Sequence, residues 1–276
     1  MATRNTLNIA HRGARSLAPE NTLAAATKGL EAGADLWELD VQLTADGELV
    51  VIHDETLERT SDAATAFPDR GPWRVSEFTL QEIRTLDFGS WYNESDPFGQ
   101  IAAGAVSEAD RQTFVGSDAP TLREALLWTR DADWQVNVEL KSLHGGAGED
   151  DFVERVVGMI AELGMIDEVI ISSFDHPYLT RVRQADPRMK IAALSGEHLD
   201  DAAGYVRSLG AEAYNPGIEV TDEAEIAAVR AAGIEVNVYT VNEEADMRRL
   251  ARAGASGIIT DFPQRLGPIL EEMGGT

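Results

Sequence analysis

Short β-branched runs separated by alanine-rich amphipathic stretches repeat along almost the whole chain, and this alternation constrains the fold more than any other feature. The runs are LNIAH (7–11), LWELDV (36–41), LVVIH (49–53), QVNVELK (135–141), VIISSF (169–174), KIAAL (190–194), EAYNP (212–216), IEVNVYTV (234–241) and GIITD (257–261). Between most of them lie NTLAAATKGLEAG, TLREALLWTRDA, DFVERVVGMIAELG, TDEAEIAAVRAAG and NEEADMRRLARAGA, several with a capping residue in front and a Gly behind. Strands that alternate with helices build βαβ units and a parallel sheet. The pattern predicts an α/β chain folded as a closed TIM (β/α)8 barrel with one strand to spare. A barrel of this kind commonly runs to about 250 residues as one unit, so the 276 residues are read as a single domain, 1–276.

The spare strand is LVVIH. Only the turn TADG separates it from the preceding run, and a parallel crossover needs a dozen or more residues, so the pair is expected to form a hairpin. A turn at Ala45 and Asp46 would set Glu38 opposite His53. The rhythm breaks once more, from about 55 to 118, where FPDRGPWR and DFGSWYNESDPFG carry turn residues and aromatics, and one short helical pattern surrounds EFTLQEIRTL. Loops this long in a compact domain are commonly functional, so the stretch is read as an insertion over the barrel mouth. Its Phe67, Trp73, Phe78, Phe88, Trp91, Tyr92 and Phe98 either wall a pocket or pack as a small cap.

Charge removes whole classes of partner. With 23 basic and 48 acidic side chains the formal charge is −25, whereas a phosphate backbone is gripped by clustered Lys and Arg. Nucleic acid and a stably bound anionic membrane are therefore excluded as expected partners. The absence of Cys excludes disulfides, thiolate metal sites and a cysteine nucleophile. No apolar run suits a signal peptide or a membrane span, and a cytoplasmic location is expected. Only three of the basic residues are Lys (Lys28, Lys141 and Lys190). So large an anionic excess repels itself unless salt screens it, and the Debye length is about 3 Å at 1 M, which points to a high-salt cytosol.

Two of the five His, His11 and His53, close strand runs, and in barrels the chemistry sits where strands run into the following loops. Side chains on a strand alternate faces, so Glu38 and Asp40 share one face, as do Asn137, Glu139 and Lys141. Carboxylates converging at about 4 Å repel by about 4 kcal/mol per pair at an effective dielectric of 20. A hard divalent cation, Mg²⁺ or Ca²⁺, resolves that repulsion with all-oxygen ligands. Lys141, beside Glu139, suits a phosphoryl oxygen.

These residues lie in a series of motifs: HRG (11–13) with PENT (19–22), ELDV (38–41), HD (53–54) with LERT (57–60), PTL (120–122), VELK (138–141), SSF (172–174), YTVN (239–242) and GIITDFP (257–263). In content and order they resemble the glycerophosphodiester phosphodiesterase family over nearly the whole chain. The resemblance implies a TIM barrel with an insertion after the second His motif. It implies that Glu38, Asp40 and Glu139 bind the cation, that His11 and His53 form the acid–base pair, and that Arg12 and Lys141 bind the phosphate. It leaves open which His is the acid, and whether water or the substrate's own glycerol hydroxyl attacks first. At Tyr239 the sequence departs from the Trp usual in the family, though a Tyr ring can also stack on a glycerol or head group.

The function expected is metal-dependent hydrolysis of a small-molecule glycerophosphodiester to glycerol phosphate and an alcohol. A lysophospholipase D-type activity is the near alternative. A non-catalytic phosphodiester-binding barrel is the distant one, and such a protein would be expected to lose one of the five His and carboxylate positions that this chain keeps.

Overall fold

The strand and helix alternation closes on itself. The computed structural model describes residues 6–143 and 148–274. Its strands are β1 (Leu7–Ala10), β2 (Leu36–Leu43), β3 (Leu49–Val51), β4 (Val136–Leu140), β5 (Val169–Ser173), β6 (Lys190–Ser195), β7 (Ala213–Pro216), β8 (Glu235–Val238) and β9 (Gly257–Thr260). All but β3 run parallel in one ring, in which β1 is bonded to both β2 and β9. The expected (β/α)8 barrel is therefore present, and β3 is the spare strand, antiparallel to β2.

Eight helices follow the eight barrel strands: α1 (Leu23–Glu31), then, beyond the short helices α2 (Ala63–Ala66), α3 (Leu80–Ile83), α4 (Ser90–Ser95) and α5 (Glu108–Phe114), α6 (Leu122–Asp131), α7 (Glu149–Leu163), α8 (His176–Ala185), α9 (Ala202–Leu209), α10 (Glu223–Ala231), α11 (Glu244–Arg252) and α12 (Pro263–Gly274). Their starts are set locally. The Thr22 hydroxyl accepts the Ala25 N–H, Thr121 and Glu124 form a reciprocal capping box, and Asp222 accepts the Glu225 N–H. Among the described residues no helix is long and apolar enough to cross a membrane.

Strand alternation divides β2 between two environments. Trp37, Leu39 and Val41 join the apolar layer between barrel and helices, whereas Leu36 joins Ile9 and Ile259 in a small apolar cluster of its own, with Tyr239 packed against it. Trp37 is fully buried. It stacks on Trp134 at a ring separation of 6.5 Å, meets Trp128 edge-on and donates its indole N–H to Thr129 Oγ1 at 2.9 Å. The outer face of β2 thus anchors the strand that carries Glu38 and Asp40 on its other face.

The β2–β3 hairpin corrects one expectation. The turn spans Ala45, Asp46 and Gly47, with Gly47 at a φ of +79°, and the Thr44 N–H donates to Glu48 O. Leu43 therefore faces Leu49 and Val41 faces Val51, one residue out of the register that would have set Glu38 opposite His53. A three-residue loop with its Gly in the left-handed region produces this slip. One more ladder bond follows, from the Ile52 N–H to Asp40 O, and the Gln42 side-chain amide then reaches the carbonyls of Ile52, His53 and Asp54 where the chain leaves β2.

The stretch from 55 to 118 holds more helix than the one pattern expected: α2 (Ala63–Ala66), α3 (Leu80–Ile83), α4 (Ser90–Ser95) and α5 (Glu108–Phe114). Its aromatics pack into two small apolar clusters, with Phe67, Trp73, Trp91 and Phe98 only partly buried. Phe78 and Phe88 are buried with Val50, Ile52 and Leu57, while Tyr92 and Phe114 are buried against Ala18 and Ala25. The insertion is thereby fastened to β3 and to the β1–α1 loop, the two segments that carry His53 and His11. Truncating Trp37 to Ala should cost about 3–5 kcal/mol of stability, read as a lower midpoint in urea denaturation. An unchanged midpoint would mean that β2 is not anchored from its outer face.

Candidate active site

The site is assembled where strands end. His11 follows β1 directly, His53 lies just past β3, Lys141 follows β4 and Tyr239 follows β8. The β1–α1 loop is shaped by backbone conformations that few residues tolerate: Arg12 at a φ of 54°, Gly13 at 77° and Asn21 at 57°. A Cβ on Gly13 would lie 2.5 Å from the Ala25 carbonyl carbon, so only glycine lets the loop press onto α1. Non-glycine residues held at positive φ cluster where surrounding contacts over-determine them, and here those contacts are polar. The Arg12 N–H donates to Glu38 Oε2 at 2.8 Å, and the Asn21 amide donates to Asp40 Oδ2 at 2.8 Å.

Glu38, Asp40 and Glu139 are all buried, and each offers a carboxylate oxygen within 4.8 Å of the others. Register enforces this, since Asp40 and Glu139 are direct partners on the neighbouring strands β2 and β4. Lys141 Nζ sits 2.6 Å from Glu139 and 3.4 Å from Asp40, and Arg12 Nε sits 3.5 Å from Asp40. The three carboxyls respond differently. Burial and the neighbouring charges of Asp40 and Glu139 push Glu38 well above the usual carboxylate range, and burial with the Asp40 charge raises Glu139. Burial opposes ionisation of Asp40 too, but Lys141 and Arg12 outweigh it and hold Asp40 well below that range.

Each imidazole is backed by a carboxylate. His11 Nδ1 lies 2.7 Å from Asp261 Oδ1, and Asp261 is itself fixed by Asn242, which donates to its Oδ2 at 2.7 Å and accepts its backbone N–H. Burial, then the Arg12 charge, lowers the His11 pKa despite Asp261. His53 Nδ1 lies 2.6 Å from Asp54 Oδ1, and Arg59 holds the same carboxylate through Nε at 2.6 Å. His53 is close enough for its charge to bear on Asp40 and Glu139. In both pairs it is Nδ1 that meets the carboxylate, so Nε2 is the ring's second nitrogen on the far edge.

The donor set fits a hard divalent cation. Glu38 Oε1 and Asp40 Oδ1 are buried without a hydrogen-bond partner among the described residues, and all the donors are carboxylate oxygens, the preference of Mg²⁺ and Ca²⁺. Counted with neutral imidazoles and with every carboxyl ionised, as ligands to a cation must be, Arg12, Arg15, Arg59 and Lys141 give +4, whereas Glu20, Glu38, Asp40, Asp54, Glu139 and Asp261 give −6. The remainder of −2 is what one divalent ion neutralises.

A profile of the glycerophosphoryl diester phosphodiesterase family matches residues 11–265. The chain belongs to this family. It is 36% identical over 261 residues to the glycerophosphodiester phosphodiesterase of Caldanaerobacter subterraneus subsp. tengcongensis, covering 95% of this chain and 96% of that one. It is 34% identical over 271 residues to that of Bacillus altitudinis, covering 96% and 98%. The crystal structure of glycerophosphodiester phosphodiesterase from Agrobacterium tumefaciens superposes with a TM-score of 0.72 at 28% identity, over 95% of this chain and 99% of that one.

In this member of the glycerophosphoryl diester phosphodiesterase family, Glu38, Asp40, Glu139, Lys141 and Arg12 meet in one cluster, with the two imidazoles beside it. Tyr239 borders it less directly. Its hydroxyl donates to the Ser195 carbonyl at 2.9 Å and its ring meets Phe174 edge-on. Sequence reasoning missed Glu20, Arg15, Asn21, Asp54, Arg59, Asn242 and Asp261, although most lie inside the quoted motifs. A polar residue directly after a strand-closing His, as in HD, was the available signal.

Neutralising Glu38 should separate the two states of the site. In chelator, Glu38→Gln should be no less stable than the native chain, because the native carboxyl is already driven toward its neutral form. With a divalent ion at a hundredfold excess over Kd, the native chain should gain about 2.7 kcal/mol and the variant much less. Thermal unfolding with and without the ion measures this, and an equal gain in both would remove Glu38 from the ligand set.

Proposed function

We propose that the chain is a metal-dependent phosphodiesterase that hydrolyses glycerophosphodiesters to glycerol phosphate and an alcohol, working as one barrel domain, 1–276, with residues of about 55–118 as its cap. The observation that carries this reading is the meeting of three carboxylates with Arg12 and Lys141 beside two carboxylate-backed imidazoles. The family membership and the names of the relatives support the same substrate class. A divalent cation held by Glu38, Asp40 and Glu139, Mg²⁺ or Ca²⁺, would withdraw charge from the nonbridging phosphoryl oxygens.

The chain's own residues do the rest. Arg12 and Lys141 hold the phosphoryl oxygens, and Tyr239 offers a ring to the glycerol or head group. His11, kept neutral by burial, takes the proton of the attacking hydroxyl as that oxygen bonds to phosphorus; where the attacker is the substrate's own glycerol hydroxyl, water opens the resulting cyclic phosphate in a second round of the same steps. The bond from phosphorus to the leaving oxygen breaks, and His53 gives that oxygen a proton, so that one proton is taken and one returned. Asp261 and Asp54 fix the tautomers in which each Nδ1 carries hydrogen and each Nε2 faces the reaction. Removing either imidazole as His11→Ala or His53→Ala should lower kcat by about 10²–10⁴-fold, and chelation should abolish turnover of glycerophosphodiesters. Full activity in either variant would contradict the acid–base assignment. Because burial lowers the His11 pKa, the acid limb of kcat/KM should have its midpoint below about 6.5, activity rising with pH as His11 loses its proton. A midpoint above that value would exclude His11 as the base.

The working environment we propose is a salt-rich cytoplasm. The net charge of −25 exceeds what the ion pairs of the site consume, and most of the remainder is solvated carboxylate. Screening of that self-repulsion should raise the urea midpoint from low to molar KCl. An unchanged midpoint would contradict the habitat.

A further inference from the structure

Glu20 has no role in the acid–base or phosphate chemistry above, yet its side chain is only 2% exposed. Three guanidinium groups converge on it. Arg12 Nη1 donates to Oε1 at 2.8 Å, Arg59 Nη1 and Nη2 donate to Oε2 and Oε1 at 2.9 and 2.7 Å, and Arg15 Nη2 lies 3.1 Å from Oε2. Burial alone would push this carboxyl up, but the hydrogen bonds of Arg59 and the charges of Arg12 and Arg15 hold it at about 2.

Each of those arginines leads to a different part of the site. Arg12 continues to Asp40. Arg15 Nε lies 3.7 Å from Asp261 Oδ1, the oxygen that meets His11. Arg59 Nη2 lies 3.1 Å from Asp54 Oδ1, the oxygen that meets His53. An arginine is a five-donor fork that favours two-point contact with a carboxylate. Without Glu20, Arg15 and Arg59 would be left to compete with the imidazoles for Asp261 and Asp54. Glu20 itself is fixed from the neighbouring position, because Asn21 is bonded to Asp40.

We propose that Glu20 is the positioning residue that couples the two histidine–aspartate pairs to Arg12, so that acid, base and phosphate-binding group keep one mutual geometry. The inference rests on the acid–base reading proposed above and adds to it a residue that touches none of the reacting atoms.

Steady-state kinetics on Glu20→Gln, Glu20→Asp, Asp54→Asn, Asp261→Asn and the two double variants joining Glu20→Gln to each Asn test it, with folding checked by circular dichroism. Glu20→Gln should lower kcat by about 10–100-fold, and Glu20→Asp, which keeps the charge, should recover part of that loss. Each double variant should lose less than the product of its two single losses, because an arm already slack has less to lose. Wild-type kcat in folded Glu20→Gln, or losses that simply multiply in both cycles, would overturn the proposal. Should Glu20→Gln not fold, Arg59→Ala carries the test at a side chain 42% exposed. Its loss should be less than multiplicative with Asp54→Asn, which it touches, and also with Asp261→Asn, which it reaches only through Glu20 and Arg15, and losses that multiply with Asp261→Asn would overturn the proposal. His11→Ala and His53→Ala measured alongside separate the two failures. Retained activity there removes the acid–base reading and this inference with it, whereas lost activity with multiplying cycles removes the coupling alone.

Discussion

Repulsion among Glu38, Asp40 and Glu139 is the constraint around which the barrel mouth is arranged. Adjacent parallel strands fix Asp40 against Glu139, and strand alternation sets Glu38 on the same face as Asp40. None of the three can turn away, because the opposite faces of β2 and β4 are committed to apolar packing under the helices. Like charges so confined either take up protons or gather cations. The molecule does both: Glu38 and Glu139 are driven toward the neutral form, whereas Asp40 stays ionised between Lys141 and Arg12.

The loop conformations follow from that cluster. Arg12 reaches Asp40 only because the β1–α1 loop holds it at positive φ, with Gly13 against α1, and Asn21 closes the same loop onto Asp40. The insertion supports the arrangement from outside. Its two small apolar clusters grip β3 and the β1–α1 loop, so it acts first as the scaffold of both histidine segments. An exterior of excess carboxylates and an inner island of Arg12, Arg15 and Lys141 can coexist because buried pairs are screened by salt far less than surface charges are.

What could be read in the sequence is what repeats or alternates. The period of strands and helices revealed the barrel, and the two-residue period within LWELDV and QVNVELK brought Glu38, Asp40, Glu139 and Lys141 to one face. The misread features depend on single backbone positions. Gly47 in the left-handed region slips the hairpin by one residue and takes His53 out of register with Glu38. Asp54 is the neighbour of His53 in the chain, but Asp261 behind His11, and Glu20 between the two pairs, come into place only through contacts between loops far apart in sequence. Asp261 and Glu20 are separated by most of the chain, yet Arg15 touches both.

Everything at the barrel mouth turns on whether Glu38, Asp40 and Glu139 form a cation site. The most direct test is anomalous diffraction from crystals of the protein soaked in Mn²⁺, an electron-dense stand-in for a hard divalent ion. One strong peak should appear among Glu38, Asp40 and Glu139, with oxygen ligands at about 2.0–2.6 Å. An ordered, well-resolved mouth with no peak there, and Lys141 alone neutralising the cluster, would contradict the cation site.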